Sequence, residues 1–168
     1  MLPNYICVDG FIMQVNPALY IAEDRCIQVY KSTLYSFKYI IMPTVKIELV
    51  IGRDKNTLIK IKKLVMDSVV ESLQLPANDR NIRIIEYPAY LFQMRPPYEV
   101  LIEISMFLGR TKDTKKKLYQ TIVNSLEKNG LIEKEKILVT LNEQPVENWG
   151  VRGGIPADEI DLGFNVKI

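Results

Sequence analysis

The chain repeats itself. Shifted by 57 positions, Gly52-Arg53 falls on Gly109-Arg110, and the flanking stretches superpose without a gap. Ile47 meets Ile104, Lys55 meets Lys112, Thr57 meets Thr114, Lys60 meets Lys117, Ser68 meets Ser125 and Glu86 meets Glu143. The apolar positions obey the same shift: Ile61 with Leu118, Val65 with Ile122, Val69 with Leu126. Each copy reads as a β-α-β unit. Val45, Ile47 and Leu49 alternate with Lys46 and Glu48, the pattern of a strand with one buried face. Gly52-Arg53-Asp54 breaks it. Leu58, Ile61, Val65, Val69 and Leu73 then recur at helical spacing with lysines opposite, and Asp54 or Asn56 suits the N-cap. Leu75 to Asp79 ends the helix, and Ile82, Ile84 and Glu86 begin a second strand. Repeat one spans 43–87 and repeat two 98–143. Between them, 88–97 is a linker, because Pro96-Pro97 can continue neither element.

Two such units predict an α+β fold, a four-stranded sheet with both helices on one face. The other face, whether it carries Val45 and Ile47 or their alternates, would be left partly apolar. Burying it against further copies of the chain predicts an oligomer.

Composition narrows the chemistry. The 168 residues are 48% hydrophobic and 25% charged, which suits one globular domain rather than a disordered chain. A net charge of +2 is too near neutral for a nucleic-acid partner. The lysine runs at 60–63 and 115–117 read as solvated helix faces. No apolar run approaches the roughly 18 residues of a membrane helix. There is no histidine, which excludes His-based triads and His-ligated metals. Acid–base work at neutral pH therefore falls to a carboxylate, a lysine, a tyrosine or something less common. Cys7 and Cys26 are not spaced as a metal site or redox pair, although one disulfide stays open. Arg152-Gly153-Gly154 lacks the Gly-Lys-Ser/Thr of a phosphate loop, and the two glycines read as a hairpin turn. Neither a metal nor a cofactor is expected.

Residues 1–41 read differently. They hold both cysteines and five of the nine tyrosines (Tyr5, Tyr20, Tyr30, Tyr35 and Tyr39). No clean period runs beyond a few residues; Phe11 to Val15 and Leu34 to Ile41 read either as short strands or as translated non-coding DNA. The start lacks the basic and long apolar regions of a signal peptide, which makes the cytoplasm the expected compartment. Met42 stands directly before Pro43, where the regular pattern begins.

From Met42 to Ile168 the chain resembles the tautomerase superfamily, the family of 4-oxalocrotonate tautomerase and macrophage migration inhibitory factor. The resemblance rests on Met42-Pro43 before a strand ending in Gly52-Arg53, and on the duplicated β-α-β unit. It rests most on Glu147-Asn148-Trp149-Gly150-Val151-Arg152-Gly153-Gly154, running on to Asp161-Leu162-Gly163-Phe164. That stretch looks like the C-terminal hairpin of the fused, two-repeat members, here 144–168.

The resemblance implies an amino-terminal proline as general base, exposed by removal of the initiator methionine. Partial burial and nearby cations would bring its secondary amine toward neutral pKa. Pro43 is then the catalytic residue, which requires translation to begin at Met42. Arg110 resembles the substrate-carboxylate ligand, its fork suited to a planar carboxylate; Arg53 is its counterpart in repeat one. Trp149 and Phe92 fall where the family sets an aromatic wall over the substrate. Asp79 matches a carboxylate of the malonate semialdehyde decarboxylase branch. Leu108 and Phe107 stand where the decarboxylase and cis-dehalogenase branches carry an arginine, which favours plain tautomerisation. Asn81 and Leu138 occupy the equivalents of a second substrate arginine, for which Arg80 or Arg83 would have to substitute. The implied protein is a homotrimeric keto–enol tautomerase of a small 2-oxo (enol) carboxylate. Alternatives are a tautomerase-fold protein masked by its extension, acting as a pseudoenzyme or interaction module, and a promiscuous decarboxylase or hydratase.

Overall fold

The computed structural model describes residues 5–8, 11–14, 43–77 and 79–160, and the chain divides into two units, 1–38 and 39–168. In the first unit β1 (Tyr5–Val8) pairs antiparallel with β2 (Phe11–Gln14). This includes part of Phe11 to Val15, one of the two apolar pieces read either as strands or as translated non-coding DNA; Leu34 to Ile41 lies outside the described residues.

The second unit follows the expected plan. The alternating stretch forms β3 (Thr44–Val50), with Val45, Ile47 and Leu49 fully buried. Asp54 caps α1 (Lys55–Leu73), its Oδ1 accepting from the amides of Asn56 at 2.9 Å and Thr57 at 3.1 Å. β4 (Asn81–Tyr87) then runs parallel to β3. The second copy supplies β5 (Val100–Phe107), α2 (Lys112–Lys128, capped by Thr111) and β6 (Ile137–Gln144). The sheet order is β4-β3-β5-β6, with β3 and β5 antiparallel at the centre. One core holds the sheet against both helices, joining Val45, Ile47, Leu49, Val100, Ile102 and Ile104 to Ile61, Val65, Val69, Leu118, Ile122 and Leu126. This is the α+β arrangement of two helices on one face. A short hairpin, β7 (Gly150–Val151) with β8 (Ile155–Pro156), follows. Residues 161–168, with the Asp161-Leu162-Gly163-Phe164 part of the family stretch, lie outside the described residues.

The central pairing carries a consequence of the duplication. Val45 faces Ile104 and Ile47 faces Ile102, so each pair maps onto the other under the 57-residue shift. Lys46 faces Glu103, its own counterpart. An internal pseudo-twofold axis therefore passes between these two residues. The correspondence runs past Tyr87 into the expected linker. Ala89–Leu91 forms a 3-10 turn after Pro88, and Val146–Asn148 forms its copy after Pro145. Both turns end on an extended aromatic residue, Phe92 in one and Trp149 in the other.

The open face is more polar at its centre than expected. Val45 and Ile47 turn to the helices, and the alternates Lys46 and Glu48 face the other way. Lys46 pairs with Glu103 across the axis and with Glu48 at 3.3 Å, and the Tyr87 hydroxyl donates to Glu48 at 2.7 Å. Leu101, Leu138 and Ile85 flank this network as the apolar part of that face, all half-buried.

Candidate active site

The sheet has two chemically different ends. At one, β3 and β4 begin and β5 and β6 finish, since Thr44 pairs with Asn81 and Ser105. Pro43 is buried at the head of β3. Asp79, two residues before β4, is 2% exposed; its Oδ1 accepts from Asn81 Nδ2 at 3.4 Å. Arg110 leaves the far end of β5 through Gly109, whose φ of 120° few side chains tolerate. It is 7% exposed, and burial pulls its pKa downward. An arginine stays charged under such a shift.

The wall of this end comes from the hairpin. Trp149 meets Phe107 edge-on, with ring centroids 5.5 Å apart and an 83° angle. Phe107, Val151 and Ala157 are buried together, with Val146, Trp149 and Ile160 packed around them. The Ala157 amide donates to the Trp149 carbonyl at 2.9 Å, tying the hairpin back on itself. Gly153 and Gly154 turn it at φ of 88° and 97°, as expected of that pair. The Trp149 indole Nε1 is buried and has no acceptor among the described residues, which leaves one directed donor in an apolar wall. Phe107 was legible only as the absence of an arginine; its role as the surface under Trp149 depends on the hairpin's return.

Pro43, Asp79, Arg110 and Trp149 thus share one end. Arg53 and Phe92 do not join them. Both lie at the other end, beyond Val50, where they line a cavity of about 360 Å³ with Gln93, Met94, Tyr98 and Glu99. Antiparallel pairing of β3 with β5 is the reason: it brings each strand's closing arginine to the start of its partner. The two candidates for the second substrate arginine differ in their surroundings. Arg80 pairs with Asp67 at 2.7 Å and donates from Nε to the Ala77 carbonyl at 2.8 Å. Arg83 is exposed on the edge strand, its side opposite to Ile82 and Ile84. Leu108 is 47% exposed at the Pro43 end, an apolar residue where the decarboxylase pattern asks for a cation. Among the described residues no cluster of acidic or cysteine side chains could hold a metal, and no helix is long and apolar enough to cross a membrane.

Comparison with known proteins bears on the fold and its family. The sequence model of the tautomerase enzyme family matches residues 79–152. The probable tautomerase YusQ of Bacillus subtilis (strain 168) is 27% identical over 121 residues, covering 67% of this chain and 95% of that protein. Native fused 4-OT superposes with a TM-score of 0.63 at 19% identity, over 70% of this chain and 98% of its own. A malonate semialdehyde decarboxylase, with decarboxylase and hydratase activities, superposes with a TM-score of 0.60 at 21% identity, over 66% and 92%. Pt0534 inactivated by 2-oxo-3-pentynoate gives 0.61 at 23% identity, over 69% and 97%. With its duplicated β-α-β unit and the family's match running through β4 to the hairpin, the chain is similar to members of the tautomerase superfamily.

Proposed function

We propose that this protein is a keto–enol tautomerase of a small 2-oxo (enol) carboxylate, with Pro43 as its amino-terminal base. The observation that carries the reading is the convergence of Pro43, Arg110 and Trp149 on one end of the sheet. In the proposed reaction the substrate carboxylate sits on the Arg110 guanidinium and its apolar part against Trp149 and Phe107. The secondary amine of Pro43 takes the enol proton and returns it to carbon, giving the ketone. Arg110 lends positive charge near the amine, which favours its neutral, basic form. The buried Asp79 orients the loop before β4 by accepting from the Asn81 side chain.

The base exists only if Pro43 begins the chain, because a proline nitrogen inside a chain is a tertiary amide whose lone pair is delocalised and cannot take a proton. The relatives support a start at Met42: about two thirds of this chain spans 92–98% of each of the three solved structures described above. Residues 43–168 then form the enzyme, which acts in the cytoplasm as a homotrimer. Fused 4-OT proteins described as symmetric and asymmetric trimers are among the structures it matches, and the half-buried open face offers the surface for such assembly.

Ketonisation of phenylenolpyruvate, assayed with chains beginning at Met1 and at Pro43, tests this. Turnover in the shorter chain alone, lost in Pro43→Ala, is the expected result. Equal turnover by an intact chain retaining Met1 would refute the mechanism. If neither chain turns over, the masked-fold reading replaces it.

A further inference from the structure

The pseudo-twofold axis gives the Pro43 end a counterpart, and the counterpart is an open cavity. Its lining can be read by the 57-residue shift. Arg53 stands for Arg110, Phe92 for Trp149, and Val50 for Phe107. Where the first end has Pro43, the second has Val100, fully buried and inside β5. Where the first has the buried carboxylate of Asp79, the second has Lys136.

The charge balance of this cavity favours an anion. Arg53 is half-buried; its guanidinium donates from Nη1 to the Val50 carbonyl at 3.5 Å and has no carboxylate in ion-pair range among the described residues. Glu99 is the acidic residue of the lining, and its charge is met by Lys136 at 3.2 Å. The apolar part is equally defined. Phe92 stacks on Tyr87, with centroids 5.5 Å apart and rings 17° from parallel, which holds it as a wall beside Met94 and Tyr98. The volume of about 360 Å³ lies in the range of small-molecule sites.

We propose that the Arg53 cavity is a second, non-catalytic binding site for small carboxylates carrying an aromatic or other apolar group. The carboxylate meets the Arg53 fork and the apolar group lies against Phe92 and Met94. No turnover accompanies binding there, because Val100 offers only a backbone amide where the other end offers proline. The inference rests on the internal symmetry and the cavity itself, and holds whether or not Pro43 is free.

The test uses the full chain labelled with 13C in its methionine methyl groups and titrated with phenylacetate, with phenylacetamide as the uncharged analogue. Met94 lines the cavity, whereas Met66 and Met106 are buried in the core and report only on the fold. Met94→Leu identifies the resonance. Expected is a saturable shift of the Met94 methyl with phenylacetate and none with phenylacetamide. Arg53→Gln should weaken it by about tenfold or more, as loss of a charge-assisted hydrogen-bonded pair implies, while Arg110→Gln leaves it in place. Arg53→Lys, which keeps the charge but not the fork, should fall between and covers the case of a misfolded Arg53→Gln. An immobile Met94 methyl, an equal response to phenylacetamide, or a titration unchanged by both Arg53 variants would overturn the proposal.

Discussion

Replacing Arg110 by glutamine in the chain beginning at Pro43 separates its proposed role from a structural one. The guanidinium is 7% exposed, so its interaction with a carboxylate is poorly screened by water. Hydrogen bonds to charged groups contribute about 1.5–3 kcal/mol each, and the loss of one such pair corresponds to roughly a 10- to 150-fold fall in kcat/KM. Ground-state binding of the carboxylate should carry most of this, so KM rises and kcat falls less. Trp149, the single tryptophan of the chain, supplies an independent reading because it walls the same end. Its fluorescence should report substrate-analogue binding directly, with the dissociation constant rising alongside KM. Removing the cation should also raise the pKa of the Pro43 amine, moving the acidic limb of the pH profile upward. A variant with unchanged KM, unchanged fluorescence titration and wild-type pH profile would remove Arg110 from the site.

Other expectations concern the scaffold. Ile102 is fully buried on a central strand, so Ile102→Ala should cost about 2–5 kcal/mol in urea unfolding. Lys46→Ala should destabilise by leaving Glu48 and Glu103 facing each other, and adding Glu103→Gln should recover part of the loss; a double-mutant cycle with no coupling would remove the network from the account. Asp67 titrates below its ordinary value of 3.8, chiefly because Lys63 donates to it and also because of Arg80. Its contribution is therefore complete above the unfolded-state pKa and is lost as pH falls through the depressed folded value. Lys46 titrates above its ordinary 10.5, held first by Glu103 and also by Glu48. Its contribution is complete below 10.5 and is lost as pH rises through the raised folded value. Thermal melts across pH should show a plateau with both shoulders, the acid shoulder diminished in Asp67→Asn.

The elements themselves were legible because their signals are local. Period-two alternation at 45–49, helical spacing from Leu58 and the Asp54 cap each lie within a single element or at its end. The extent of the repeat was harder to read. Ala89-Tyr90-Leu91 and Val146-Glu147-Asn148 share no residue at equivalent positions, and their common turn comes from the φ fixed by Pro88 and Pro145. The polarity of the open face was hidden for a different reason. Alternation says that a strand has two faces, but only the register says that Lys46 meets Glu103. The division of the expected site residues between two ends follows from the same long-range fact, since neither Arg53 nor Arg110 reveals in sequence which strand start it will approach.

The duplicated fold therefore sets a problem that the sequence resolves by divergence at a few positions. A twofold arrangement of β3 and β5 builds the same closing arginine, 3-10 turn and aromatic residue at both ends. These shared features give the two ends a common frame, whereas the differences give them distinct surroundings. Proline against valine decides where an amine can exist. Asp79 against Lys136 reverses the charge beside the strand start, and Lys136 in turn engages Glu99. Phe107 against Val50 supplies a buried partner for Trp149, where the other end leaves a cavity beside Phe92. Substituting Val100 by proline would not convert the second end, because that nitrogen lies inside the chain. A circular permutant opened before residue 100 and carrying Val100→Pro would free it. Turnover there that depends on Arg53 would establish that the two ends differ by their amine alone; an inactive, folded permutant would assign part of the catalysis to the Asp79 and Trp149 side of the divergence.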